Sequence, residues 1–175
     1  KLANGDYVGI VDSSNILYSN AIKILVKYIN KFPSHDFICG AVKKDNKIYA
    51  GFRPKDIKKQ FNIIPSSIVG FYIKLESLKK VGLLNIKYKY SSDYDFLYRV
   101  IVKNKMQGIH TKAHEIFGNL GDSGISLNSN FLIKIINEIK IRFNNGQNIF
   151  ELVYIFFGKL IMKIFRKIFV KNIYK

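Results

Sequence analysis

The sequence predicts an α/β domain followed by a helical C-terminal region, and three observations carry that expectation. Short apolar runs of strand length alternate with helix-spaced apolar positions as far as Phe117. Polar segments punctuated by glycine or proline separate them. From Leu132 onward the spacing is helical only, with one break at Asn144, Asn145 and Gly146.

Residues 7–11 form an apolar run between Gly5 and the polar Asp12-Ser13-Ser14-Asn15, which suits a buried strand delivering a loop at its C-terminal end. Ligands of α/β sheets collect at such ends. From Ser19, a capping residue, Ala21, Ile22, Leu25, Val26 and Ile29 recur at helical spacing until Phe32 and Pro33 stop the helix. Strand, loop and helix make the first half of a βαβ unit. Residues 37–42 and 47–51 read as two strands joined by Asp45-Asn46, a turn pair that tolerates positive φ. Residues 52–64 lose the pattern in a basic stretch with Arg53, Lys55, Lys58 and Lys59, expected as a surface loop with a helical turn. Residues 67–73 resume as a strand, and Leu75, Leu78 and Val81 mark one face of a short helix that Gly82 ends.

The stretch from Ser91 to Arg99 opens with two carboxylates, Asp93 and Asp95, ahead of an apolar segment. Ser91 or Ser92 caps a helix here, Asp93 falls in its first turn, where the helix dipole favours an anion, and Phe96, Leu97, Val100 and Ile101 supply a buried face. Such a pair also fits an ordinary capped helix. Residues 106–111 and 113–117 read as two more strands, leading into a glycine-rich polar loop over 118–126. A helix then carries Leu132, Ile135, Ile136 and Ile139 on one face up to Arg142, and another begins near Ile149. In that last helix Val153, Phe156, Phe157, Leu160, Ile161, Ile164, Phe165 and Ile168 form a wide apolar face. Lys159, Lys163, Arg166, Lys167 and Lys171 are expected on the opposite side. Glu151 and the repeated lysines argue against a membrane span, and the pattern suits a helix lying in a membrane interface or packed on a further part of the protein.

With 175 residues, 48% hydrophobic and 14% aromatic, the chain can build a real core, so disorder is not expected. Its net charge of +17 calls for an acidic partner: nucleic acid, an anionic membrane surface or a phosphorylated small substrate. Cys39 stands alone, which excludes an internal disulfide and a cysteine-based zinc site and suits a reducing, cytoplasmic compartment. His110 and His114 have i, i+4 spacing but lack the glutamate of the zinc-protease motif, and His35 reads as a surface residue. The first residues resemble neither a signal peptide nor a capped helix, so the chain is expected to begin inside a domain.

Several motifs in order resemble the second half of a family 2 glycosyltransferase. Ala3-Asn4-Gly5-Asp6-Tyr7 resembles the family's A-x-G-x-[YF], Asp12-Ser13-Ser14-Asn15 its acidic D-x-D type loop, and Leu17-Tyr18-Ser19-Asn20-Ala21-Ile22 its L-x-P-x-A-L. Ile38-Cys39-Gly40-Ala41-Val42 is similar to a strand ending in glycine. Lys80-Val81-Gly82-Leu83-Leu84 resembles K-x-G-x-F, residues 92–99 resemble S-D-Y-D-F-x-x-R, and Gly124-Ile125-Ser126 resembles G-G-x-S. The resemblance covers residues 3–126 and implies a GT-A-like fold lacking its N-terminal strands. It divides the chain into 1–127, catalytic, and 128–175, a basic amphipathic membrane-associating region. It implies inverting transfer of a sugar from a nucleotide-diphosphate donor to a saccharide or lipid-linked acceptor, with a divalent cation, Mg²⁺ or Mn²⁺, on the leaving diphosphate. By position, Asp93 carries over as general base, Asp95 and Arg99 as its support, Asp12, Ser14 and Asn15 as the diphosphate and metal loop, and Gly124 and Ser126 as an acceptor or lid loop. The chain departs from the pattern where Ser14 and Asn15 stand in place of further carboxylates, which leaves Asp12 as the metal ligand. The setting implied is surface polysaccharide or glycolipid synthesis on the cytoplasmic face of a membrane.

Two other classes compete. A non-catalytic glycosyltransferase-like binding protein accommodates the reduced acidic loop. A nucleic-acid-binding protein would use the charge and the alternation Lys87-Tyr88-Lys89-Tyr90, which also suits a strand, but no RNP, zinc-finger or KH signature is present, so no nucleic acid is expected.

Overall fold

The computed structural model describes residues 3–50, 68–88, 91–121 and 130–173, with side chains described as far as Phe165. In chain order the elements are β1 (Tyr7–Gly9), β2 (Ile16–Leu17), α1 (Ala21–Lys31), β3 (Phe37–Cys39), β4 (Ala41–Lys44), β5 (Lys47–Tyr49), β6 (Phe71–Lys74), α2 (Leu75–Val81), α3 (Ser92–Tyr98), β7 (Gly108–His110), β8 (Ile116–Asn119), α4 (Phe131–Asn144) and α5 (Ile149–Ile173). Among the described residues the strands form two four-stranded sheets, one in the order β1-β6-β3-β7 and the other in the order β2-β8-β4-β5.

The first sheet shows why its strands read as continuous apolar runs. Phe37, Cys39, Phe71 and Ile73 point to one face, where Phe96, Leu97 and Val100 meet them. Ile38 and Tyr72 point to the other face, against Ala21, Leu25 and Tyr28 of α1. Helices therefore cover both faces, and alternation of period two is hidden because each set of alternate residues has a core to fill. Edge-to-face aromatic pairs lock both layers, Phe71 with Phe96 at 6.0 Å and Tyr72 with Phe117 at 5.4 Å between centroids.

Strands β1 and β3 both run antiparallel to β6 and hence parallel to each other. The chain segment β1–α1–β3 thus realises the expected βαβ start, with β6 inserted between its two strands. As the edge strand, β1 is only half-buried and stops at Gly9, short of the expected Val11, which is exposed.

The apolar run over 37–42 is two strands rather than one. At Gly40 the chain leaves the first sheet and joins the second, and the crossing has room only for glycine, since a Cβ there would stand 2.3 Å from the nearest atom of the Phe117 ring. Its neighbour β7 makes the same change of sheet through Thr111 into β8. The fully buried Thr111 hydroxyl stitches the corner, accepting from Ala41 N at 2.9 Å and donating to the Glu115 carbonyl at 3.1 Å. The turn at Asp45-Asn46 closes the β4–β5 hairpin, with Asp45 at φ 50°.

Other boundaries shift for local reasons. Helix α1 starts at Ala21 with Asn20 before it, and no side chain caps it, so Ser19 does not serve as the cap. The expected strand over 67–73 begins as a 3-10 turn at Ile68–Gly70, while Ser67 and the basic 52–64 stretch lie outside the described residues. Ile86 and Lys87 form a turn, not a strand, and the Tyr88 hydroxyl accepts from Asn144 Nδ2 at 2.8 Å; Lys89 and Tyr90 lie outside the described residues. Gly118 and Asn119 belong to β8 rather than to a loop, paired with Leu17 and Ile16.

One polar cluster ties α1 to the turn before β8. The Glu115 carboxylate accepts from Lys27 Nζ at 2.6 Å, from the Tyr28 hydroxyl at 2.5 Å and from Lys112 N at 3.2 Å. Burial pushes this carboxyl up, but the hydrogen bonds and the Lys27 charge outweigh it and hold it at about 2. A carboxyl depressed on folding gives stability that is present above its unfolded value and lost as pH falls toward the folded one. Glu115→Gln is therefore expected to lower stability near pH 7 by about 1–3 kcal/mol and to flatten the loss of stability between roughly pH 5 and 2. Urea titrations across that range measure it, and parallel pH profiles for the two proteins would refute the assignment.

Candidate active site

Asp93 and Asp95 are two residues apart, and in a helix that separation turns their side chains about 200° from each other. In α3 they accordingly part company. Asp95 is buried and accepts from Arg99 Nε at 2.9 Å and from Asn145 Nδ2 at 3.3 Å. Arg99 directs the rest of its guanidinium to main chain, Nη1 to the Val81 carbonyl at 2.5 Å and Nη2 to the Leu83 carbonyl at 2.7 Å. These bonds clamp the end of α2 to α3. The cleft beside them, about 390 Å³ and lined by Asp95, Arg99 and Asn145 among others, does not include Asp93.

Asp93 lies in the first turn of α3. Ser91 precedes the helix, but neither Ser91 nor Ser92 makes the expected side-chain cap; instead Asp93 Oδ1 accepts from Tyr94 N at 2.8 Å. Burial raises this carboxyl above its usual range, opposed by the N–H groups of Tyr94 and Asp93 and by the charge of Lys134 on α4. Among the described residues no cation stands within ion-pair distance of it. A half-buried carboxylate whose pKa is raised by burial is a better proton acceptor than an ordinary exposed one.

The acidic loop is an exposed turn, with Asn15 N donating to the Asp12 carbonyl at 3.0 Å and the Ser13 hydroxyl to Asp12 Oδ1 at 3.3 Å. Pairing of β2 with β8 carries this loop to the end of β8, where Gly121 N donates to Asn15 Oδ1 at 3.1 Å. Gly121 fits there only without a side chain, since a Cβ would lie 1.8 Å from the Ser14 carbonyl oxygen. The structure thus brings the 12–15 loop to the start of the glycine loop, whose Gly124 and Ser126 lie outside the described residues. No hydrogen bond among the described residues joins Asp93 to the 12–15 loop.

For a metal, the Asp12-Ser13-Ser14-Asn15 loop offers one carboxylate, and the Asn15 amide oxygen already accepts from Gly121 N. Among the described residues no cluster of three or more acidic, histidine or cysteine side chains is placed to hold a cation. That donor set fits a cation carried mainly by phosphate oxygens and touching the protein at Asp12, not a cage built by the protein. His110 directs Nδ1 to the Thr111 carbonyl at 3.0 Å, and burial pushes the Cys39 thiol far above its usual range, so Cys39 is not poised for chemistry.

The residue sequence reasoning missed is Arg142. It is fully buried in the last turn of α4, donating from Nε to the Tyr94 hydroxyl at 2.6 Å and from Nη1 to Gln147 Oε1 at 3.0 Å. Its guanidinium carbon lies 5.8 Å and 5.6 Å from the Tyr94 and Tyr98 ring centroids. Tyr98 in turn donates to Gln147 Oε1 at 2.9 Å. A signal was available: with four arginines among 29 basic residues, an arginine marks a place where a planar fork is needed and a lysine will not serve.

No protein-family model and no curated protein matches the chain. Among solved structures, the crystal structure of residues 1–349 of S. aureus TarS is similar, with a TM-score of 0.52 and 14% identity. The likeness covers 69% of this chain and 37% of that one, so the chain spans little more than a third of the protein it matches. At that identity the likeness is one of fold: the chain has a GT-A-like α/β fold, with α4 and α5 at its C-terminal end.

Proposed function

We propose that the chain carries the acceptor-activating part of an inverting glycosyltransferase that uses a nucleotide-diphosphate sugar. The observation that carries the reading is Asp93, a half-buried carboxylate kept above its usual range by burial and, among the described residues, without a paired cation, in a glycosyltransferase-like fold. In this reading Asp93 takes the proton of an acceptor hydroxyl as its oxygen bonds to the sugar's anomeric carbon. The bond to the diphosphate breaks on the opposite side, and nucleoside diphosphate leaves. A divalent cation, when bound, neutralises the leaving diphosphate, with Asp12 as its protein ligand. Asp95 and Arg99 support α3, while Gly124 and Ser126 belong to the loop that meets the acceptor. Nucleotide sugars and reduced thiols such as Cys39 share a cytoplasmic setting, and assembly of a surface polysaccharide or glycolipid is the process that fits.

The test is nucleoside diphosphate release by the intact protein from a panel of nucleotide sugars, with Mg²⁺, Mn²⁺ or chelator. Release should require a cation, and Asp12→Asn should raise the cation concentration needed and slow release about tenfold or more. If no nucleotide sugar is turned over, the reading fails, and the single carboxylate of the acidic loop then favours a non-catalytic, saccharide-binding role.

A further inference from the structure

Helix α5 faces the wrong way for a helix of an ordinary soluble domain. At about 100° per residue, Ile149, Phe150, Val153, Phe157, Ile161 and Ile164 fall within an arc of about 120°. All six are exposed, Phe150 by 79% and Phe157 by 56%. The opposite side, not this one, lies against α4: Leu152 and Ile155 are buried, and Lys159 pairs with Glu138 of α4. Lys163 stacks over the Phe131 ring with Nζ 3.8 Å from its centroid. Lys159 and Lys163 thus lie on the side opposite the apolar face, as expected, but Lys159 is largely buried against α4 while Lys163 stays exposed, and the apolar face is turned out. Burial accordingly pushes the Lys159 ammonium down to about 8.

A continuous apolar face of this length marks an interaction site, and its partner must also suit a chain of net charge +17. A second copy carries the same charge, which opposes pairing. A water-exposed acidic protein suits the charge, but not a row of aliphatic and aromatic side chains flanked by further cations, since α5 runs on through Arg166, Lys167 and Lys171. A bilayer with anionic headgroups satisfies both, taking the side chains into its acyl boundary and the cations at its surface. No helix among the described residues is long and apolar enough to cross a membrane, so the helix lies along the surface. We propose that α5 docks the protein on an anionic lipid bilayer through the face centred on Phe157. This goes beyond the transfer reaction and does not depend on it.

These 175 residues contain no tryptophan, so Phe157→Trp places a reporter on that face, read as the difference from the unsubstituted protein. In the intact protein its emission should be that of an exposed indole in buffer. It should shift to the blue and be quenched by brominated acyl chains on adding vesicles of phosphatidylcholine with phosphatidylglycerol. Phosphatidylcholine vesicles alone should bind at least about tenfold more weakly. The double substitution Phe150→Ser, Ile161→Ser should abolish binding with the circular dichroism spectrum retained. No shift with anionic vesicles overturns the proposal. So does a blue-shifted indole without lipid: with doubled mass in sedimentation it would mean a second copy, and at monomer mass another part of the same protein. Nucleoside diphosphate release with a soluble acceptor is read separately, so failure of docking and failure of the transfer reading remain distinct.

Discussion

Replacing Asp93 by asparagine is expected to lower turnover by about 10²–10⁴-fold while leaving the fold as stable as before or slightly more so. The two halves of that result come from one cause. Burial, opposed by the amides of Tyr94 and Asp93 and by Lys134, holds the carboxyl above its usual range. A carboxyl with a raised folded pKa costs stability as pH climbs from the unfolded value through the folded one, and the cost is full above the folded value. The amide removes it and still accepts from Tyr94 N. In the wild type, turnover should rise with pH through the raised pKa of Asp93, a limb that the variant lacks. Nucleoside diphosphate release across pH, with urea unfolding in parallel, measures both. Unchanged turnover would show that another group takes the proton.

The largest stability effect is expected at Arg142. Arg142→Ala removes the donors to Tyr94 and Gln147 and leaves a cavity against two tyrosine rings, which together should cost about 3–5 kcal/mol. Arg142→Lys keeps the charge but reaches both acceptors poorly, and is expected to recover only part of the loss. Urea denaturation gives the values. A midpoint for Arg142→Ala within error of the wild type would mean that α3 and the α4–α5 turn are held together by apolar contacts alone.

Local signals in the sequence were strong where one neighbour decides the structure. The helical spacing of α1, α2, α4 and α5, the Asp45-Asn46 turn and the glycines after Val81 and in the α4–α5 break lie where they read. What could not be read depends on contacts from far along the chain. The run 37–42 looks like one strand because both of its halves are buried, and only Phe117 reveals that Gly40 must bend it. Serines were expected to cap helices at Ser19 and Ser91, but neither makes the bond. Apolar periodicity located α5 but not its orientation, since the side packed on α4 includes Lys159, whose long hydrocarbon stem lets it be buried where a glutamate awaits its ammonium. At the site, the spacing of Asp93 and Asp95 already implied opposite helix faces, whereas the contact of Asn15 with Gly121 had no local sign.

That last contact also bears on how the protein reaches its folded state. The bond between Asn15 and Gly121 closes a loop of 106 residues. It exists only after β8 has found both β2 and β4. Hairpins such as β4–β5 and the α4–α5 pair close over a few residues and need no such search. The acidic loop is therefore expected to be set late, and substitutions of Gly118 or Thr111 should slow its formation, which refolding followed by a probe near Asn15 would measure.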